Sequence, residues 1–175
     1  MDENFTNVQI ESYSLPSVHH VDYQSLERDY LKVSLIGVLI LAIILLGGAI
    51  AIRFVVASDL GEYANIVYLI PIIIISLNLF FVFKGFRHKS YALREHDILY
   101  KRGYIWRSQT VVPFNRVQHC EVDQGPIERL FNISKLKIYT AGGSSSDVAI
   151  PGLKPELANN MKDFIMRKIP SDEEE

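Results

Sequence analysis

The hydrophobic pattern divides the chain sharply. From Val33 to Ile52 it reads VSLIGVLILAIILLGGAIAI, and from Tyr63 to Phe83 YANIVYLIPIIIISLNLFFVF, both without an acidic or basic side chain. As a helix, either run is long enough to cross a hydrocarbon core of about 30 Å. The stretch between them, Arg53 to Glu62, holds Asp59, Gly61 and Glu62, a turn composition that leaves room only for an antiparallel hairpin. The pattern therefore predicts a two-helix transmembrane hairpin over residues 33–83. Pro71 lies near the middle of the second run, where a kink is expected. Gly47 and Ala51 form a small-xxx-small pair, and Asn65 and Asn78 are candidates for hydrogen bonds between the helices. A soluble core helix is the competing reading of each run, but so small a chain has too little protein to surround two of them.

Beyond Lys84 the periodicity changes to short segments rich in Val, Ile, Tyr and Trp between turn residues, which predicts strands. These are Ser90–Glu95, Ile98–Arg102, Tyr104–Val112 ending at Pro113, Val117–Asp123, Lys135–Ala141 and Asp147–Ile150. Gly125-Pro126 opens a helical turn reaching Phe131. Alternation places Leu136 with Ile138, and Val148 with Ile150, on inward faces. Leu153, Leu157, Met161, Phe164 and Ile165 then recur at helical spacing, with Pro155 and Glu156 suited to a first turn. This amphipathic helix is expected to cap a small barrel rather than to lie in the membrane interface. The chain is thus divided into a polar N-terminal cytoplasmic segment (1–32), the hairpin (33–83), a β-rich domain (84–169) and an acidic tail (170–175).

Charge gives the hairpin a direction. Arg28 and Lys32 precede it and Lys84, Arg87 and Lys89 follow it, whereas the turn offers only Arg53, placed to snorkel outward. The positive-inside rule then puts both termini on the cytoplasmic side of the plasma (inner) membrane. A cleaved signal peptide fits poorly, since the first run follows a long leader of mixed charge without a small-residue cleavage pattern. A net charge of −2 over 175 residues carries no nucleic-acid footprint. The single cysteine, Cys120, excludes an intrachain disulfide and a multi-cysteine zinc site. No ionisable residue stands at mid-depth in either run, which disfavours a channel or transporter.

The stretch VVPFNRVQHCEVDQGPIERLFNISKLKIYTAGGSSSDVAIPGL resembles the bacterial pleckstrin-homology-like domain of the YdbS-like membrane proteins. The resemblance is carried by Pro113, Arg116 and Gln118; by Gly125-Pro126 with Glu128, Arg129 and Phe131; by Thr140 to Gly143; and by Pro151-Gly152-Leu153. It implies a membrane α-helical hairpin joined to a β-rich pleckstrin-homology-like barrel capped by its C-terminal amphipathic helix. It implies no reaction. Where the family often has glycine, this chain has Asn132, the best substitute for a left-handed turn.

Candidate chemistry is sparse. His19, His20, His88, His96 and His119 are too scattered for a metal site, and no cofactor is expected. Gly142-Gly143 with Ser144 to Ser146 lacks the lysine and helix of a phosphate loop. His119, Asp147 and a serine form no recognisable triad, and Cys120 in mid-strand reads as a small packing residue. Two Asn-x-Ser/Thr acceptors, at Asn4 and Asn132, carry no weight in a cytoplasmic setting. What remains is basic. Arg94, Lys101, Arg102 and Arg107 form a diffuse cationic surface, although the first strand loop, His96-Asp97, lacks the cations that a lipid-binding pleckstrin domain usually gathers. Arg116 and Arg129 are expected to bond turn carbonyls or a carboxylate such as Glu128 or Asp123. The candidate interaction residues are Arg102, Arg107, Arg116, Gln118 and Arg129. The sequence therefore points to a noncatalytic membrane-anchored module that binds another membrane protein, one with a related domain being a candidate. A sensor of anionic lipid head groups is the alternative, and a membrane-bound hydrolase is disfavoured.

Overall fold

The computed structural model describes residues 21–141 and 148–169, apart from the side chains of residues 56–60, 62 and 64. His19, His20, the 142–147 strand connection with its serines and Asp147, and the acidic tail lie outside the described residues. Helix α1 runs from Arg28 to Leu60, several residues beyond the apolar run at each end. Asp29 in its first turn complements the helix dipole and pairs with Lys32 at 2.7 Å. A 3₁₀ segment, Gly61–Tyr68, leads into α2, Leu69–Arg87. Pro71 is consequently a first-turn residue of α2 rather than a mid-helix one, and its missing N–H falls where a helix has no partner for it.

Both helices are exposed along their apolar length. Leu39, Ile43, Ile44 and Ile73 are each more than half exposed, an arrangement that suits lipid and not water. The spans apolar enough to cross a bilayer are Arg28–Val55 and Asn65–Arg87. Val38, Ala49 and Pro71 are buried, whereas Gly47 and Ala51 are exposed and a Cβ added at Gly47 would meet open space. The small-xxx-small pair therefore takes no part in packing the hairpin. Of the two asparagines, Asn65 accepts a hydrogen bond from Arg53 Nε at 3.0 Å, and Asn78 donates back to the Ile74 carbonyl of its own helix.

The β-rich domain comprises two sheets. In the first, β1 (Gln24–Ser25), β2 (Ser90–Leu93), β3 (Asp97–Arg102) and β4 (Ser108–Pro113) lie side by side, all antiparallel. In the second, β5 (Val117–Asp123), β6 (Ser134–Thr140) and β7 (Val148–Leu153) form an antiparallel meander, with helix α3 (Pro126–Leu130) between β5 and β6. The expected barrel is not closed: among the described residues no ladder joins β4 to β5 or β1 to β7. The first seam has a physical cause. Pro113 ends β4 without a backbone donor, a 3₁₀ turn (Phe114–Arg116) follows, and the β5–β6 register shifts between Val117 and His119. At the second seam β1 contributes only two residues, and a single bond from the Glu27 N–H to the Gly152 carbonyl (2.9 Å) stands in for a ladder.

The sheets are joined by their core. Tyr91, Ile98, Tyr100 and Val112 from one, and Leu136, Ile138, Val148 and Ile150 from the other, meet Phe114 and Leu26 in one buried cluster. Helix α4 (Pro155–Lys168) lies on β5 and β6 and buries Ala158, Met161 and Ile165, with Phe164 edge-on to Phe114 at 6.0 Å. It covers a sheet face instead of the end of a barrel, and Leu153 belongs to β7. Leu26 shows that residues ahead of the hairpin also enter this core. Tyr30 then docks the hairpin base: its ring meets Phe86 at 6.4 Å, its hydroxyl accepts from Lys89 at 2.9 Å, and Gly152 packs against it.

Candidate functional site

The β3–β4 hairpin turns back through Gly103–Arg107. Gly103 has φ +95°, and a Cβ there would lie 1.8 Å from the Trp106 carbonyl oxygen, so only glycine fits. The ladders set Ser90 opposite Lys101, Lys101 opposite Gln109 and Arg102 opposite Ser108. Where α2 ends at Arg87 and His88 beside this hairpin, a cleft of about 550 Å³ opens, within the size range of small-ligand sites. Its walls carry Arg87, Lys101, Arg102 and Arg107, with hydroxyl and amide groups from Ser90, Ser108 and Gln109 and, among the described residues, no carboxylate. Four basic side chains lining one cleft, with no carboxylate among the described residues, suit an anionic oxygen group.

The cleft lies at the hairpin end of the domain. Tyr104 is edge-on to His88 at 5.1 Å and to Phe80 of α2 at 6.0 Å. The His88 ring donates from Nδ1 to the Lys84 carbonyl (2.8 Å), which fixes the exit of α2. Tyr23 borders the other side: the Lys101 ammonium lies 3.5 Å from its ring centroid, and Gln109 Nε2 donates to its hydroxyl. Burial, with Tyr30 second, pushes the Tyr100 hydroxyl up to about 12, so this β3 residue adds no negative charge at neutral pH.

Of the residues singled out from sequence, the cleft brings Arg102 and Arg107 together with Lys101. It does not include Arg116, Gln118 or Arg129, which are exposed on the 3₁₀ turn, β5 and α3. The side chains of Arg116 and Arg129 have no hydrogen bond or ion pair among the described residues; instead Lys135 approaches Glu128 at 3.7 Å and Lys137 pairs with Asp123 at 2.8 Å. Arg94, at the other end of β2, is held by Asp97, its Nε and Nη2 donating one to each carboxylate oxygen. Sequence reading took Arg87 only as a membrane flank and missed Ser90, Ser108 and Gln109. The signal was present in the hairpin register, which follows once the turn is placed at Gly103 instead of β4 starting at Tyr104.

The remaining chemistry stays separate. His119 stacks on Tyr139 at 4.2 Å, and the Tyr139 hydroxyl donates to Glu121. Burial pushes the Cys120 thiol up to about 11, with Lys162 opposing weakly, so it is protonated at neutral pH and packs against the core. Among the described residues no three His, Cys, Asp or Glu side chains are grouped as a metal ion requires.

The family model described as bacterial PH domain matches residues 10–169. The chain is 36% identical over 89 residues to the UPF0699 transmembrane protein YdbS of Bacillus subtilis (strain 168), a stretch covering 50% of this chain and 54% of that protein. The chain thus spans about half the length of the curated relative it matches. No solved structure matches.

Proposed function

We propose that this chain, which belongs to the bacterial PH-domain family, is a noncatalytic module that its hairpin holds against the bilayer, where the Arg87–Arg107 cleft takes the phosphate of an anionic lipid head group. The observation that carries this reading is the cleft itself: four cations, no carboxylate among the described residues, and a position beside the exit of α2. Near an anionic leaflet each such charge is worth about 1 kcal/mol, provided it lies within a Debye length of about 8 Å. The charge distribution around the hairpin supports placing both termini, and so the cleft, on the cytoplasmic face of the inner membrane.

Binding of another membrane protein, such as one with a related PH-like domain, is the second reading. The feature that favours it is the open architecture: among the described residues β4 and β5 are edge strands with no ladder on their outer side, which suits addition of a partner strand. Tethering would make even a weak contact effective through local concentration. Native mass spectrometry of the protein released from its own membranes separates the two readings. The lipid reading predicts retained anionic phospholipid, reduced about tenfold or more in the R102Q/R107Q double variant. Retention of a protein subunit, with lipid carry-over unchanged by the double variant, favours the second reading and counts against the first.

A further inference from the structure

The loop that closes the cleft carries a feature that anion binding does not use. Tyr104, Ile105 and Trp106 follow one another at its tip, and their exposure rises from 36% to 64% to 88%. An exposed Ile-Trp pair on a turn is costly in water and favourable at a membrane interface, where Trp and Tyr rings are enriched. Its depth can be read from α2. Lys84 is the first charged residue after the uncharged run ending at Phe83, so it marks the boundary of the hydrocarbon. Its ammonium lies 5.9 Å from the ring centroids of both Phe80 and Tyr104. Phe80 stands one turn deeper, about 6 Å along the axis, and Tyr104 touches it. Tyr104 therefore sits at the level where acyl chains give way to head groups.

We infer that the Tyr104–Trp106 loop is a second attachment to the bilayer, set into the interfacial layer of the same leaflet from which α2 emerges. The occupant is lipid rather than a protein surface because the loop is continuous with the hairpin's own membrane boundary. Because Gly103 and Arg107 at the two ends of the loop also line the cleft, its immersion would place the cleft beside the head groups. This attachment is apolar and requires no anionic lipid, so it stands or falls apart from the head-group reading.

Trp106 is the only tryptophan in the chain, so its fluorescence reports on this loop alone. The full-length protein is placed in phosphatidylcholine nanodiscs that carry one chain each and leave both faces open to solvent. The inference predicts emission shifted to the blue, iodide quenching several-fold weaker than for free indole, and stronger quenching by a nitroxide near the head-group end of the acyl chain than by one near its methyl end. Iodide quenching equal to that of free indole overturns it. So does shielding from iodide without nitroxide quenching, which would mean that protein covers the ring. Shielding that appears only in discs holding two chains also overturns it and assigns the loop to contact between copies.

Discussion

Glycine and asparagine positions show most directly how single residues shape this molecule. Gly152, at φ +67°, has Tyr30 Cβ 2.6 Å from the place a Cβ would occupy. The same residue meets two demands, a left-handed backbone and close approach of the hairpin. G152A is therefore expected to destabilise the protein by about 2 kcal/mol or more, seen as a lower midpoint of thermal unfolding in micelles. N132G, at φ +50°, should leave the midpoint unchanged or slightly higher, and equal behaviour of the two variants would contradict the docking role of Gly152. Asn132 was legible in sequence because left-handed turns have a narrow residue preference. The part played by Gly152 was not, since its partner Tyr30 lies far away along the chain and on the other side of the hairpin.

Elements were legible wherever one periodicity persisted. The two apolar runs, β5, the α3 turn opened by Gly125-Pro126, and the inward faces of β6 and β7 follow directly from pattern. Boundaries were less so. Helix α1 continues to Leu60, through most of the stretch expected to turn, and Pro71 acts as a first-turn residue because a 3₁₀ segment precedes it. Barrel closure failed as an expectation because it depends on edges, not on strands: Pro113 and the 3₁₀ turn separate β4 from β5, and pattern within a strand carries no information about its neighbour. The direction of the hairpin also belongs to this scale. With Cys120 replaced by serine and Gln118, an exposed β5 residue, replaced by cysteine, a membrane-impermeant maleimide should label cells only after the inner membrane is opened. Labelling of intact cells would reverse the orientation.

At the scale of the whole molecule, the net charge of −2 conceals a strong local asymmetry. Carboxylates pair with Arg94, Lys135 and Lys137 away from the hairpin exit, while Arg87, Lys101, Arg102 and Arg107 share a cleft that has none among the described residues. Sequence reading identified Arg102 and Arg107, but chain distance hid their convergence with Arg87, because it depends on how α2 delivers the chain to β2. The hairpin tethers the domain, the clamp at Tyr30 and Gly152 joins the two, and the proposed function has the cleft facing the lipid.

The central claim, that this cleft gathers anionic head groups, is tested most directly by energy transfer from Trp106 to dansyl-labelled lipid in nanodiscs of mixed phosphatidylcholine and phosphatidylglycerol. The account predicts stronger transfer to labelled phosphatidylglycerol than to labelled phosphatidylcholine at equal label density, with the difference lost in R102Q/R107Q and weakened by salt. Equal transfer to the two lipids in the wild-type protein would contradict it.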